Sequence, residues 1–156
     1  MIKRRFSLAL SLLWRTYVVF FLYSIAFMLV IGLPFGRLVL ANRSVILYTP
    51  AVALLLFALL LAILEMGLRI NLLRAIFGAR LKRSPAQWRT SVLQLSALMA
   101  ALAAVNALVS FSGSADAWMY YRTYPGPLLF FVGVFAIGWT QATSDVEETG
   151  TALVED

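Results

Sequence analysis

Glu65 is the only carboxylate inside an apolar stretch of this 156-residue chain. A charge in hydrocarbon is costly, and carboxylates placed there commonly serve as proton or ion sites. The position of Glu65 argues first for something plainer. It stands about one turn from the end of the apolar run, and Arg69 follows four residues later, the favourable order for a pair on one helix. The expectation is an interfacial Glu65–Arg69 pair, with a transport site as the alternative. Gln94 and Asn106 are the polar residues of a later apolar stretch. They are expected to hydrogen-bond between helices, a substrate contact being the alternative. Ser, Tyr and other Asn residues occur, but no base stands at a spacing that would activate a nucleophile. Cysteine and histidine are absent, which removes thiol chemistry, disulfides, haem or zinc ligation through those residues, and histidine acid–base catalysis. The expectation is no catalytic set, no metal and no cofactor.

The other chemistry is charge. Gly67–Arg89 carries Arg69, Arg74, Arg80, Lys82, Arg83 and Arg89, six of the thirteen basic residues, and no acid. Apolar runs flank it on both sides. Such a connector stays in the cytoplasm and orients the chain. Its basic side chains are candidate contacts for anionic lipid head groups or a partner protein. Ile70–Lys82 is expected as an amphipathic helix. At about 100° per residue, Asn71, Arg74, Gly78 and Lys82 share one face, and Leu72, Leu73, Ile76 and Phe77 the opposite one. That suits a helix lying in the interface plane, or one docked on a partner.

The elements that hold these groups must sit in lipid. The chain is 62% apolar with a mean hydropathy of +0.89, whereas a soluble domain is about 45–50% apolar. A net charge of +6 follows from the cytoplasmic bias of basic residues; nucleic-acid binding would need a basic face on a soluble domain.

Lys3, Arg4 and Arg5 followed by apolar residues resemble a signal peptide, but Arg15 interrupts the run and no small-x-small site follows closely. An uncleaved anchor is expected instead. Residues 1–15 form a basic segment that lies along the interface or extends the first span as a tilted helix, with Arg15 snorkelling to the head groups. Span one is expected over Thr16–Leu33, ended by Gly32, Pro34 and Gly36. Phe35–Thr49 reads as an outer loop. Thr49 and Pro50 read as the N-cap and first position of span two, which continues to Leu68, roughly 28 Å. Ser84-Pro85-Ala86-Gln87 is a capping box, so a helix starts there and runs to about Phe111. That third span has small-xxx-small spacing at Ser96, Ala100 and Ala104, which places it at the bundle centre or at an oligomer seam. Ser112–Pro125 reads as a second outer loop, with Trp118, Tyr120, Tyr121 and Tyr124 as an aromatic belt. Span four is expected over Pro127–Gln141, and the acidic tail 142–156 as disordered.

The fold class is therefore an all-α membrane protein. It has four transmembrane helices over 16–141, N-in and C-in, and a cytoplasmic amphipathic helix between spans two and three. Lys3, Arg4, Arg5 and Arg15 with the six connector residues put ten basic residues inside, against Arg37, Arg43 and Arg122 outside. A bacterial inner membrane is the simplest home.

From Phe77 onward, Gly78 and Leu81 precede Trp88, Asn106 falls inside the next span, and Trp118-Met119-Tyr120-Tyr121-Arg122 follows. Over residues 77–126 this pattern resembles the intracellular septation protein family of bacterial inner membranes. Tyr120 stands where that family tends to place Asn. The resemblance implies a non-enzymatic envelope protein that contacts division and elongation machinery.

The leading functional expectation is a non-catalytic scaffold or accessory subunit of a membrane complex, binding lipid and other membrane proteins or itself. The alternatives are a small oligomeric transporter or channel using Glu65, Gln94 and Asn106, and an immunity or exclusion protein that blocks a membrane-active toxin.

Overall fold

The computed structural model describes residues 2–77, 84–112 and 114–152, which form helices with no strand among them. Helix α1 spans Ile2–Phe27, followed by a π-helical segment over Met28–Gly32 and α2 over Leu33–Ala41. Then come α3 (Arg43–Met66), α4 (Leu72–Phe77), α5 (Pro85–Phe111), α6 (Ala115–Thr123) and α7 (Pro125–Ala152). Among the described residues, four stretches are long and apolar enough to cross a membrane: Arg5–Leu38, Arg43–Met66, Pro85–Phe111 and Ala115–Gln141.

Neighbouring spans run antiparallel. Ser96 Oγ donates to the Ala58 carbonyl and Ser110 Oγ to the Leu47 carbonyl, which pairs α5 with α3 along its length. A Cβ on Gly138 would lie 2.7 Å from Ala9 Cα, and Tyr17 stacks on Phe131, so α7 descends along α1. The start of α1 and the end of α7 therefore share the end of the bundle marked by Trp88. The other end is marked by Trp118.

Helix α5 is the centre: 39% of its span window is buried, against 6% for the first span. Leu95 and Met99 of α5 meet Phe57 and Leu61 of α3 and Val134 of α7 in the core. Helix α1 is fastened on by rings. Phe20 lies 5.3 Å from Phe57 and 5.4 Å from Phe130, and Tyr23 lies 4.7 Å from Phe57. Each such pair contributes about 0.5–1.5 kcal/mol beyond its buried area.

Several expected boundaries move. The first helix does not stop at Gly32. Pro34 lacks an N–H and its ring crowds the carbonyl four residues back. The chain widens into the π segment just before it, Leu33 N–H bonding the Met28 carbonyl, and then resumes α-helix. In lipid a bent helix keeps its backbone bonded where a loop would not. The expected loop 35–49 is accordingly helical except at Asn42. The N-cap of span two is Asn42, whose Oδ1 accepts from Ser44 N–H at 3.0 Å, and not Thr49. Thr49 instead donates to the Val45 carbonyl inside the helix, and Pro50 sits in mid-helix.

The capping box at Ser84 forms as expected: Gln87 N–H donates to Ser84 Oγ at 3.2 Å, and Ser84 N–H donates to Gln87 Oε1 at 2.9 Å. At the last span, α6 and α7 are nearly continuous. Tyr124 N–H bonds the Tyr120 carbonyl and Leu128 N–H bonds the Tyr124 carbonyl. Pro125 and Pro127 fall in the first turn, where missing N–H groups cost nothing. The helix of crossing length thus begins at Ala115 and not at Pro127, and the α7 backbone passes Gln141 into the acidic segment as far as Ala152.

Candidate functional site

The basic connector starts where α3 stops. Gly67 N–H and Leu68 N–H both return to the Ile63 carbonyl, and Arg69 then takes a left-handed conformation at φ 54°. A non-glycine residue held there costs on the order of 1 kcal/mol. Because the helix ends before Arg69, the four-residue spacing no longer places it over Glu65. The Glu65 carboxylate turns instead to Asn71, whose Nδ2 donates to Oε2 at 2.7 Å. Asn71 Oδ1 in turn accepts from Arg74 N–H at 2.9 Å. The expected Glu65–Arg69 pair is therefore replaced by a clamp between the end of α3 and the start of α4.

Helix α4 places Leu73 in the core at 1% exposure, with Leu72 packed against it, so these two leucines face protein. Arg69, Arg74 and Arg89 are exposed. Gly78, Arg80, Lys82 and Arg83 lie outside the described residues.

At the Trp88 end the polar groups of α5 and α7 close on each other. Ser91 Oγ reaches Gln141 Oε1 at 2.6 Å, and Gln141 Nε2 donates to Gln94 Oε1 at 2.6 Å. Gln94 thus makes the interhelical hydrogen bond expected of it, with a partner the spacing did not reveal. Arg15 is buried at 8% exposure beside Thr16, on the same face of α1 as Ala9, Leu12 and Val19. It faces the bundle and is not exposed on the outer surface of α1. The periodicity of α1 held the signal: Ala9, Leu12, Thr16 and Val19 fall on one stripe, and Arg15 borders it.

The small residues of α5 divide between two uses. Ser96 and Ala100 pack inward, Ser96 onto the Ala58 carbonyl and Ala100 against the core. Ala104 is exposed, as are Ala97 and Ala101, one turn apart along the same edge.

At the Trp118 end a single carbonyl, that of Leu47, accepts from both Ser110 Oγ at 2.8 Å and Trp118 Nε1 at 3.0 Å. This clasp ties α3, α5 and α6 together. Beside it lies a half-open cavity of about 580 Å³ lined by residues of α1, α2, α3, α5, α6 and α7. Asn106 lines it at 8% exposure and Tyr121 at 7%. Asn106 Oδ1 and the Tyr121 hydroxyl are buried and have no hydrogen-bond partner. Leaving such an atom unpaired costs about 1–3 kcal/mol. The interhelical bond expected of Asn106 is not made. Arg122 also lines the cavity, and its guanidinium stacks on Trp118 at 5.1 Å. Sequence reasoning singled out Asn106 and the 118–122 run but did not bring them together; only the turn after α5 does.

Four apolar helices of crossing length around a tight core define an all-helical membrane protein. The chain belongs to the family of intracellular septation protein A, whose model matches residues 6–143. It is 33% identical over 97 residues to the inner membrane-spanning protein YciB of Delftia acidovorans, covering 62% of this chain and 48% of that one. It is 29% identical over 106 residues to the YciB protein of Paracidovorax citrulli, covering 67% of this chain and 55% of that one. The chain spans about half the length of these curated relatives. No solved structure matches it. The match extends well beyond the residues 77–126 that carry the resemblance in the sequence, reaching back into α1 and forward to the end of the last span.

Proposed function

We propose that the protein is a non-catalytic scaffold or accessory subunit of the bacterial inner membrane, serving the cell envelope or its division. The observation that carries this reading is the free edge of α5. The most buried span leaves Ala97, Ala101 and Ala104 uncovered, whereas α3 exposes Leu55, Leu59 and Ile63. A second helix can approach the alanine edge backbone to backbone, which is how helices associate where lipid removes the hydrophobic drive. The family's description supports the link to division, and the names of the two relatives support the membrane.

Charge supports the orientation. Among the described residues, Lys3, Arg4, Arg5, Arg69, Arg74 and Arg89 stand towards the Trp88 end, and Arg37, Arg43 and Arg122 towards the other. The Trp88 end, with both termini, faces the cytoplasm. Segment 70–82 lies along that interface, where Arg69, Arg74, Arg80, Lys82, Arg83 and Arg89 hold anionic head groups. The acidic segment 142–156 docks on this connector.

Because the chain has no cysteine, single introduced thiols report sidedness cleanly. Arg83→Cys should react only with reagent admitted to the cytoplasm, and Arg122→Cys with reagent added outside. The reverse pattern would overturn the orientation. Ala101→Leu should abolish self-crosslinking or the recovery of a membrane partner in mild detergent. If the parent chain is a clean monomer without partners, the scaffold reading fails.

A further inference from the structure

Three of the four spans are broken, and the breaks meet around one cavity. Span one widens at Met28–Gly32, where Leu33 N–H reaches the Met28 carbonyl, five residues back. In α3, Pro50 lacks the N–H that would bond the Ile46 carbonyl. Between α6 and α7, Pro125 and Pro127 lack the N–H groups that would bond the Tyr121 and Thr123 carbonyls, and the backbone bonds of the junction run through Tyr124. Helices bend where such bonds are missing. Met28, Pro50, Gly126 and Pro127 all line the half-open cavity beside the Leu47 clasp. Helix α5 has its proline, Pro85, at its start and runs unbroken past the cavity to Phe111.

The packing changes at the same level. Among the described residues, every member of the hydrophobic core lies on the Trp88 side of the breaks; those nearest them are Val19 of α1, Phe57 of α3 and Phe130 of α7. Beyond the breaks the π segment buries no residue, and Leu33, Leu38 and Leu40 of α2 are exposed. Leu47, Trp118 and Tyr121 are buried there but stand outside the core. Hydrogen bonds hold these outer segments instead. Ser110 Oγ ties the Leu47 carbonyl to the end of α5, and Trp118 Nε1 ties the same carbonyl to α6. The Ser110 hydroxyl also lies 2.8 Å from the Asn106 carbonyl of its own helix, so it keeps an acceptor when it leaves Leu47. We propose that residues 28–49 and 115–124 form one cap that swings on the core at the three breaks and is latched to α5 by Ser110. Trp118 joins the two pieces of the cap to each other. Release moves α2 and α6 away from the end of α5 and widens the cavity. Segments with few buried apolar contacts are the ones that open while the rest stays folded. The device stands apart from the scaffold reading and does not depend on it.

The test is double electron–electron resonance on the full chain in nanodiscs, with nitroxides on introduced cysteines, the chain having none of its own. Four exposed positions carry them: Leu38 on α2, Met119 on α6, Leu108 near the end of α5 and Ile63 on α3. Leu38→Cys with Leu108→Cys, from cap to α5, should give a distance distribution about twice as broad as Ile63→Cys with Leu108→Cys, both outside the cap. Leu38→Cys with Met119→Cys, both on the cap, should stay as narrow as that control. Ser110→Ala removes the latch and should shift the cap-to-α5 distribution to longer distances with the control unchanged. Pro50→Ala restores the N–H at the α3 break and should narrow it. A cap-to-α5 pair no broader than the control, a within-cap pair as broad as the cap-to-α5 pair, or a cap-to-α5 distribution unchanged in Ser110→Ala and Pro50→Ala would each overturn the proposal.

Discussion

The two ends of the bundle solve the same problem in opposite ways. At the Trp88 end, α5 and α7 join through side chains, Ser91 with Gln141 and Gln141 with Gln94, and Glu65 pairs with Asn71, while Arg5 Nε and Thr16 Oγ1 on the first half of α1 are buried without a partner. At the Trp118 end, the polar contact between helices goes to one backbone carbonyl, and the side chains below it, Asn106 and Tyr121, stay unpaired around a cavity. Buried polar groups are normally satisfied, so the closed cluster of Ser91, Gln141 and Gln94 reads as structure. The closed end holds the helices in register. The open end can then keep a cavity without the bundle collapsing on it.

The sharpest way to break the closed end is at Gly138. A Cβ there would meet the Ala9 backbone at 2.7 Å, so Gly138→Leu must push α1 from α7 and should cost about 3 kcal/mol. Gly133 makes the contrast. Its Cβ would meet only the end of the Leu98 side chain, which can turn aside, and Gly133→Ala should cost less than about 1 kcal/mol. Thermal unfolding in mild detergent, followed by circular dichroism, separates the two; equal losses would mean that α1 and α7 are not held by this contact. Gln141→Leu comes next. It strands the Gln94 amide oxygen and should cost about 1–2 kcal/mol, a smaller loss than a soluble core would show because interhelical bonds in lipid contribute modestly.

At the open end the sign reverses. Asn106→Leu replaces an unpaired acceptor with an apolar group and should stabilise the protein by about 1 kcal/mol. A loss of that size instead would mean that Asn106 has a structural partner. The smallest change is Ser84→Ala, which removes the N-cap of α5 and should cost about 1 kcal/mol or less. Hydrogen exchange should show the loosening confined to the first turn, at the amides of Ala86, Gln87 and Trp88. Protection lost along all of α5 would show that the cap governs the whole span.

Local chemistry was legible wherever one segment decides it. Ser84, Pro85 and Gln87 carry their own hydrogen-bond pattern, and the structure starts α5 where they do. Pro34 and Pro50 misled the reading for a physical reason. A proline ends a helix in water because the freed groups can be solvated; in lipid the helix bends and goes on, as it does through the π segment. The Glu65–Arg69 spacing misled for another: an i, i+4 pair presumes that the helix reaches both residues, and α3 stops at Met66.

Composition and hydropathy, being sums over the chain, determined by themselves that this is a membrane bundle with four crossings and a basic connector. They are insensitive to which residues meet. The meeting of Asn106, Tyr121 and Arg122 around one cavity was decided only by tertiary structure, as were the burial of Arg15 and the pairing of Ser91 with Gln141, 50 positions away. Each depends on how one helix is rotated against another. That rotation is set by packing across the interface, which no single stretch of sequence contains.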